Sequence, residues 1–167
     1  SLSIDVNLRG AVYSLAAWQG DESTFTYFLE RYRKEQVPEE NRKLLRALGM
    51  FKSPKLLQRA LDLTLSSTVR LQDSLTIPMT VGGNPFGAPL IWPWTQKQWN
   101  LILKKYSTGP HMLPYRVHNL ALIDSPQVKK EVSLFLKKPG NFRDDIRIAY
   151  KQTLEKIDIT LNLLRKN

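Results

Sequence analysis

The apolar residues of this 167-residue chain recur with a helical period along almost its whole length, and no segment alternates as a half-buried strand does. This pattern predicts about eight or nine short helices joined by turns of about three to six residues, which favours antiparallel neighbours stacked in pairs. No repeat of fixed length is present, so we predict an all-α, irregular, solenoid-like array. The clearest apolar stripes are Leu8, Val12, Leu15 and Ala16; Phe25, Phe28, Leu29 and Tyr32; and Ile146, Tyr150, Leu154, Ile157 and Leu161.

Proline marks several of the predicted helix starts. In Ser53-Pro54, Asn84-Pro85 and Ser125-Pro126 a capping residue precedes a proline, and Pro38 stands at the start of another apolar stripe. A serine or asparagine side chain can accept a hydrogen bond from a first-turn N–H group, and proline is tolerated there because its missing N–H would have no helical partner. We therefore expect a helix to follow each of these prolines.

The segment 66–95 is less regular than the rest. Pro78, Pro89 and Pro93 all fall where a helix is otherwise expected, and a proline inside a helix costs about 3 kcal/mol. We expect short or kinked helices here, with irregular backbone between them. A further short apolar piece covers residues 74–81.

Composition limits the classes to which the protein can belong. No apolar run approaches the roughly 18 residues of a membrane span, so we expect no membrane partner. The chain has no cysteine, which fits a reducing compartment, and we expect a cytoplasmic protein. No linker divides the sequence, which predicts a single helical domain over residues 1–167. Because the chain opens with Ser1 inside an apparent helix, we expect it to be a piece of a larger protein.

Most of the positive charge lies in the second part of the chain. Residues 97–167 carry 14 Lys and Arg against 6 Asp and Glu, which accounts for +8 of the net +10. Such an excess is typical of a solvated face, and it also attracts nucleic acid, an acidic protein or a carboxylate ligand. The cations are spread over several helices without a recognised reading motif, which argues mildly against nucleic acid. Those near the last helix are Arg143, Arg147, Lys151, Lys156, Arg165 and Lys166.

The sequence contains no pattern of residues that indicates a catalytic or metal centre. The two histidines, His111 and His118, are seven residues apart, about 10 Å along a helix, which is too far for one metal ion.

Asp73 has two interpretations: it caps a short helix over 74–81, or it forms a polar cluster with Arg70 and Gln72 that lines a cavity. Core packing is the favoured interpretation of Trp92 and Trp99, which share a face, whereas Trp94 lies off that face.

The order of several motifs resembles a known family. Val69–Asp73 provides an R-x-Q-D element, Gly83–Gly87 an N-P-x-G turn, and Trp92 and Trp99 a W-x(6)-W helix. Together they resemble the C-terminal helical domain of the aminopeptidase N-like zinc metallopeptidases, which include the puromycin-sensitive and endoplasmic-reticulum aminopeptidases. The resemblance extends upstream to Lys43–Gly49 and covers nearly the whole chain.

The resemblance implies a fold and a function. The fold is a superhelical array of paired helices similar to HEAT or armadillo repeats, at the C-terminal end of a larger aminopeptidase. In that family this domain closes over the catalytic domain of the same protein and encloses a chamber for the peptide substrate, so that it influences substrate length or selectivity. Zinc and the catalytic residues lie in other domains, so this chain alone needs no cofactor and has no catalytic residue. By the same resemblance Arg70, Gln72, Asp73 and Asn84 are candidate substrate-binding residues. The alternative function is a basic helical-repeat module that binds nucleic acid or an acidic protein.

Overall fold

The computed structural model describes residues 5–106, 112–118, 120, 125–141 and 144–164. All regular secondary structure in these residues is helical, which confirms the all-α prediction. A 3-10 turn at Leu71–Asp73 precedes α5, and a second at Asp144–Ile146 precedes α9. Within the described residues the α-helices are α1 (Arg9–Gln19), α2 (Glu22–Lys34), α3 (Pro38–Leu48), α4 (Pro54–Leu65), α5 (Thr76–Gly83), α6 (Ala88–Tyr106), α7 (Met112–His118), α8 (Pro126–Leu136) and α9 (Arg147–Leu164).

The chain divides into two compact units, residues 1–90 and 91–167, with the boundary near the start of α6. In the first unit α1 and α2 pack against α3, and α3 and α4 pack against α5. In the second unit α7 and α8 pack against α9. The expectation of a single domain over residues 1–167 stays a prediction.

Aromatic pairs and leucines form the core of the first unit. The rings of Phe25 and Phe51 lie 5.5 Å apart between centroids, and those of Tyr13 and Phe28 lie 5.6 Å apart. Both pairs are tilted, the geometry that the quadrupole of an aromatic ring favours. Five leucines around them have no exposed surface: Leu44, Leu45, Leu48, Leu57 and Leu61.

The first helix turns a different face to the core from the stripe that the sequence suggested. Tyr13 and Ala17 are its buried residues, whereas Leu8, Val12 and Leu15 are exposed. Tyr13 decides this orientation, because its ring packs on Phe28 and lies 5.3 Å from the guanidinium carbon of Arg31. The second ring and the cation add directional contacts to the burial of Tyr13.

Tryptophan anchors the core of the second unit, as predicted for Trp92 and Trp99. Both indoles meet the ring of Phe135 edge-on, each with centroids 5.5 Å apart. The indole N–H of Trp92 also donates to the Glu131 carboxylate at 2.9 Å. Trp94, which the sequence left open, is buried as well.

The prolines of α6 do not interrupt it, so the expected break at Pro89 and Pro93 is wrong. Pro89 lies in the first turn, where no helical N–H bond is lost. Pro93 removes only the bond to the carbonyl of Pro89, and both residues are exposed, so water can satisfy that carbonyl. The helix continues for 19 residues because two of its buried tryptophans, Trp94 and Trp99, lie beyond this point.

Two of the three predicted cap-and-proline starts are confirmed. The hydroxyl of Ser53 accepts a hydrogen bond from the N–H of Leu56, and that of Ser125 accepts one from the N–H of Val128. The helices that follow begin at Pro54 and Pro126. Pro38 likewise begins α3.

A buried carboxylate links α1 and the segment before it to α3. Glu40 is 6% exposed, and its carboxylate lies 2.8 Å from the Lys43 ammonium and 3.7 Å from the Arg9 guanidinium. The same ammonium donates to the carbonyl of Val6 at 2.9 Å. The hydrogen bond from Lys43, helped by the charges of Lys43 and Arg9, outweighs burial and holds the pKa of Glu40 below its usual 4.5.

We expect acid to weaken the fold through Glu40. Because its pKa is lower in the folded chain than in the unfolded one, its ion pairs stabilise the fold fully above about pH 4.5, and this stabilisation is lost as the pH falls through the folded pKa. Glu40→Gln should therefore flatten the decline in the free energy of unfolding below that pH, measured by urea denaturation. Glu39→Gln is the matched control, since Glu39 is 70% exposed. Equal slopes in the wild type and Glu40→Gln would contradict this prediction.

Candidate functional site

The 3-10 turn at Leu71–Asp73 brings together two of the predicted site residues. Both Nε and Nη2 of Arg70 approach one carboxylate oxygen of Asp73, at 2.8 and 2.6 Å. The Asp73 side chain is 5% exposed and that of Arg70 is 46% exposed. A buried carboxylate thus fixes a guanidinium that remains half open to solvent.

Asp73 does not cap the helix that follows it, so that interpretation is wrong. The helix α5 begins at Thr76 rather than at residue 74, and Leu75, which precedes it, makes no side-chain cap. The Asp73 carboxylate faces Arg70 instead, because a charge-assisted bond to a guanidinium is stronger than a bond to a neutral N–H group. Gln72, between them, is exposed.

Tyr32, at the end of α2, lies beside this pair. Burial raises the pKa of its phenol and the charge of Asp73 raises it further, while the guanidinium and a backbone hydrogen bond of Arg70 act in the opposite direction. The net effect is a raised pKa, so the hydroxyl keeps its proton at neutral pH. Tyr32 and Arg70 both line an open cleft of about 410 Å³, named here the α2–α3 cleft, whose other walls include Arg33, Glu35, Asn41 and Thr68.

Asn84 holds a different junction of the first unit. Its side chain is 2% exposed, and its Nδ2 donates to the carbonyls of Gly49 and Phe51 at 3.1 and 2.8 Å. Its Oδ1 accepts the N–H of Phe86 at 3.0 Å. The prediction that Asn84-Pro85 starts a helix is wrong, because Asn84 forms a turn and α6 begins only at Ala88. Asn84 thus fastens the α5–α6 turn to the α3–α4 connection.

Close packing around this turn explains its second glycine. A Cβ atom on Gly87 would lie 2.5 Å from the carbonyl oxygen of Val81 and 2.6 Å from its Cγ1. The ring of Phe86 packs outward on Trp18, with centroids 5.8 Å apart, and the Lys52 ammonium lies 5.1 Å from the centre of that indole. The N-P-x-G motif therefore encodes a turn that only glycine can complete without moving the backbone.

Arg116 is a buried charge that the sequence reasoning missed. It is 1% exposed, its guanidinium carbon lies 4.7 Å from the ring centre of Trp94, and its Nη2 donates to the hydroxyl of Thr95 at 3.0 Å. Its Nε and Nη1 are buried and have no hydrogen-bond partner among the residues that the structure describes. Burial lowers its pKa to about 10, which leaves the group charged at neutral pH.

A signal for Arg116 was present in the sequence. It lies three residues after Leu113 and four before Leu120, both members of an apolar stripe and both buried in the structure. An arginine at this spacing shares the buried face of the helix. A charged residue on an apolar stripe is predicted to be buried, and such residues are rare because burying a charge is costly.

Among the described residues, no three His, Cys, Asp or Glu side chains are grouped so that they could hold a metal ion. His111 and the side chain of His118 lie outside what the structure describes. In the same part of the chain, no helix is both long and apolar enough to cross a membrane.

Comparison with known proteins identifies several relatives. A family model described as the ERAP1-like C-terminal domain matches residues 1–159. Aminopeptidase A of Gloydius brevicauda is 34% identical over 114 residues, which cover 67% of this chain and 12% of that protein. Glutamyl aminopeptidase of Homo sapiens is 33% identical over 109 residues, covering 64% and 11%. Aminopeptidase 2 of Candida albicans is 30% identical over 149 residues, covering 88% and 16%. The chain thus matches only 11–16% of the length of these relatives.

We expect the replacement of two glycines of the N-P-x-G region by alanine to have different effects on the free energy of unfolding. Gly87→Ala should lower the free energy of unfolding by about 1–3 kcal/mol, since the new methyl group displaces the Val81 carbonyl. Gly83→Ala is the matched control, because no heavy atom of the described residues lies within 4 Å of its Cβ position. It should leave stability unchanged or raise it by up to about 1 kcal/mol, as in other helices. Urea denaturation measures both, and a neutral Gly87→Ala would contradict the close approach.

Proposed function

Because the chain belongs to the family of ERAP1-like C-terminal domains, we propose that it serves as the C-terminal domain of a zinc aminopeptidase and has no catalytic centre of its own. Membership of the family confirms the resemblance that Val69–Asp73 and Gly83–Gly87 indicated. The activity of the parent protein enters as a proposal, since the chain covers only a small part of each named aminopeptidase.

In this proposal the chain closes over the catalytic domain of the same polypeptide and helps to enclose a chamber for the peptide substrate. The zinc ion and the residues that activate water belong to that other domain. No step of the hydrolysis is assigned to the residues of this chain, whose contribution is to bind, to exclude and to limit the length of the peptide.

The observation that carries the proposal is the match of residues 1–159 to the ERAP1-like C-terminal domain, which spans nearly the whole chain. Arg116 does not add to it, because it is 1% exposed and an external carboxylate cannot reach it. Its guanidinium stacks on Trp94 and donates to Thr95, and among the described residues no carboxylate makes an ion pair with it. A buried charge without such a partner weakens the fold.

The four residues singled out from the sequence have two kinds of role in this proposal. Arg70 and Gln72 have exposed side chains that a peptide can reach. Asp73 and Asn84 are buried and act through others, since Asp73 fixes Arg70 and Asn84 fixes the α5–α6 turn. The substrate contact is therefore proposed for Arg70 and Gln72, with Asp73 and Asn84 as positioning residues.

The basic face of the second unit supports the alternative function less well. Arg147, Lys151 and Lys156 are exposed on α9, whereas Arg143, Arg165 and Lys166 lie outside the described residues. Lys129 is paired with Asp158, and Glu155 borders the same open cleft as Lys156. Acidic neighbours reduce the attraction for phosphates, so nucleic-acid binding should appear only at low salt, where electrostatic binding is strongest.

Removing this domain from its parent protein should change peptide hydrolysis. We expect the truncated parent to lose activity, or to lose its preference among peptides of different length, because the chamber is left open. The measurement is kcat/KM on aminoacyl-aminomethylcoumarin substrates and on a series of peptides of increasing length. Adding the 167-residue chain in trans should restore part of the effect. Unchanged kinetics on every substrate would contradict the proposed function. The alternative function, salt-dependent binding of nucleic acid, would then become the favoured one.

Arg116→Met should show what the buried charge costs. In the 167-residue chain we expect the free energy of unfolding to stay the same or to rise, because methionine fills the site without a charge. Lys151→Met, which removes one exposed charge, is the matched control and should change it by less than about 0.5 kcal/mol. Urea denaturation measures both, and a large loss of stability in Arg116→Met would contradict the prediction, since the contacts with Trp94 and Thr95 would then outweigh the cost of burial.

A further inference from the structure

We propose that the outer side of α9 binds α9 of a second copy of this chain, with the two helices antiparallel across a twofold axis. The proposal goes beyond the proposed function and does not depend on it, since it concerns only residues of the second unit. Its basis is a row of exposed side chains along α9, named here the α9 seam, which consists of Ile148, Gln152, Glu155 and Ile159.

The α9 seam lies opposite the side that α9 turns to the core. Ile148 and Ile159 are 68% and 60% exposed, whereas Thr153 and Ile157 have no exposed surface. The residues of the seam follow one another at intervals of four, three and four, the spacing that lines up along one side of a helix and that paired helices share. A helix that is apolar on two opposite sides can pack against a second layer of helix.

Two further exposed side chains add apolar surface beside the α9 seam. Leu163, one turn after Ile159, is 59% exposed, and Tyr115 of α7 is 60% exposed. Tyr115 and Ile159 line one open cleft of about 570 Å³, together with Gln152 and Glu155. A helix that covers the α9 seam would therefore also cover Tyr115, which enlarges the apolar area removed from water.

The residues of the α9 seam are complementary to themselves. When two such helices run antiparallel with Ile148 opposite Ile159 of the second copy, Gln152 lies opposite Glu155 of the second copy. An amide that can donate then meets a carboxylate that can accept, and the twofold axis repeats both contacts. This match is the reason for choosing a second copy as the occupant.

The charges beside the α9 seam favour the antiparallel orientation. Lys151 and Asp158 are exposed, seven residues apart on one side of the seam, and antiparallel helices place Lys151 opposite Asp158 of the second copy. Asp158 also binds Lys129, but 54% of its side chain is exposed, so a second cation can reach it. Parallel helices would instead bring Glu155 against its own copy and Lys151 against Lys156 of the second copy, and like charges repel.

The small size of this surface determines the expected affinity. From Ile148 to Leu163 it extends over 15 residues, about 22 Å along the helix axis. One pair of helices of this length, with Tyr115 at its side, buries less than the roughly 1,200 Å² at which standard-size interfaces begin. We therefore expect a weak dimer of the 167-residue chain, with a Kd of about 10–100 µM.

Sedimentation equilibrium of the 167-residue chain tests the proposal. Between about 1 µM and 500 µM, the weight-average mass should rise from near that of the monomer to more than about one and a half times that value, because this range spans the expected Kd. A chain that stays monomeric throughout overturns the proposal, and leaves the α9 seam to another part of the parent protein or to an unrelated helix.

Ile159→Gln tests whether the α9 seam forms the contact. Each Ile159 meets Ile148 of the other copy, so one substitution removes two contacts, and we expect the Kd to rise about tenfold or more. Leu101→Gln is the matched control, because Leu101 on α6 belongs to the same unit, is 52% exposed and lies off the seam. It should change the Kd less than about twofold. Equal effects of the two variants would show general hydrophobic association and overturn the proposal.

An exchange of the flanking charges tests the orientation of the helices. Lys151→Glu should raise the Kd about threefold or more, because two carboxylates then face each other across the interface. Combining it with Asp158→Lys should restore most of the affinity. The two residues are about 10 Å apart along one helix, so this restoration cannot arise within one chain. A dimer that the second substitution does not restore would overturn the antiparallel pairing.

Discussion

A chain of short helices has many helix ends, and each end leaves up to four backbone N–H or C=O groups without a partner inside the helix. The first unit meets this constraint with side chains: Asp21 and Ser53 accept first-turn N–H groups, and Glu35 accepts two in the loop before α3. Asn84 makes three such bonds, because its buried amide donates to two backbone carbonyls and accepts one backbone N–H group. These bonds satisfy backbone groups that would otherwise be unpaired close to the buried leucines.

The positions of the helices could be predicted from the sequence, because the spacing of apolar residues, the capping residues and the prolines each act on the backbone close to them. Ser53-Pro54 and Ser125-Pro126 mark helix starts without any knowledge of tertiary contacts. Asn84-Pro85 has the same local signal, but its side chain meets the carbonyls of Gly49 and Phe51, which are more than 30 residues away in the chain. Pro93 was misjudged for a similar reason, since the packing of Trp94 and Trp99 outweighs the local cost of a proline.

The candidate site was only partly predictable. The R-x-Q-D spacing places Arg70 and Asp73 one helical turn apart, so their ion pair could be expected as one of two interpretations. The cleft beside them could not, because Tyr32 and Asn41 reach it from elements whose packing the sequence does not specify. Arg116 was missed because charged residues were counted as surface, although Leu113 and Leu120, at helical spacing from it, are apolar and buried.

The tryptophans are divided unequally between the two units. Trp18 packs on Phe86 in the first unit, and Trp92, Trp94 and Trp99 all belong to the second. The intrinsic fluorescence of the chain is therefore weighted toward residues 91–167, while far-UV circular dichroism weights both units by their helix content. If the units melt independently, the two optical signals will not coincide along a denaturant gradient, whereas coincident transitions would mean that residues 1–90 and 91–167 unfold in one cooperative step.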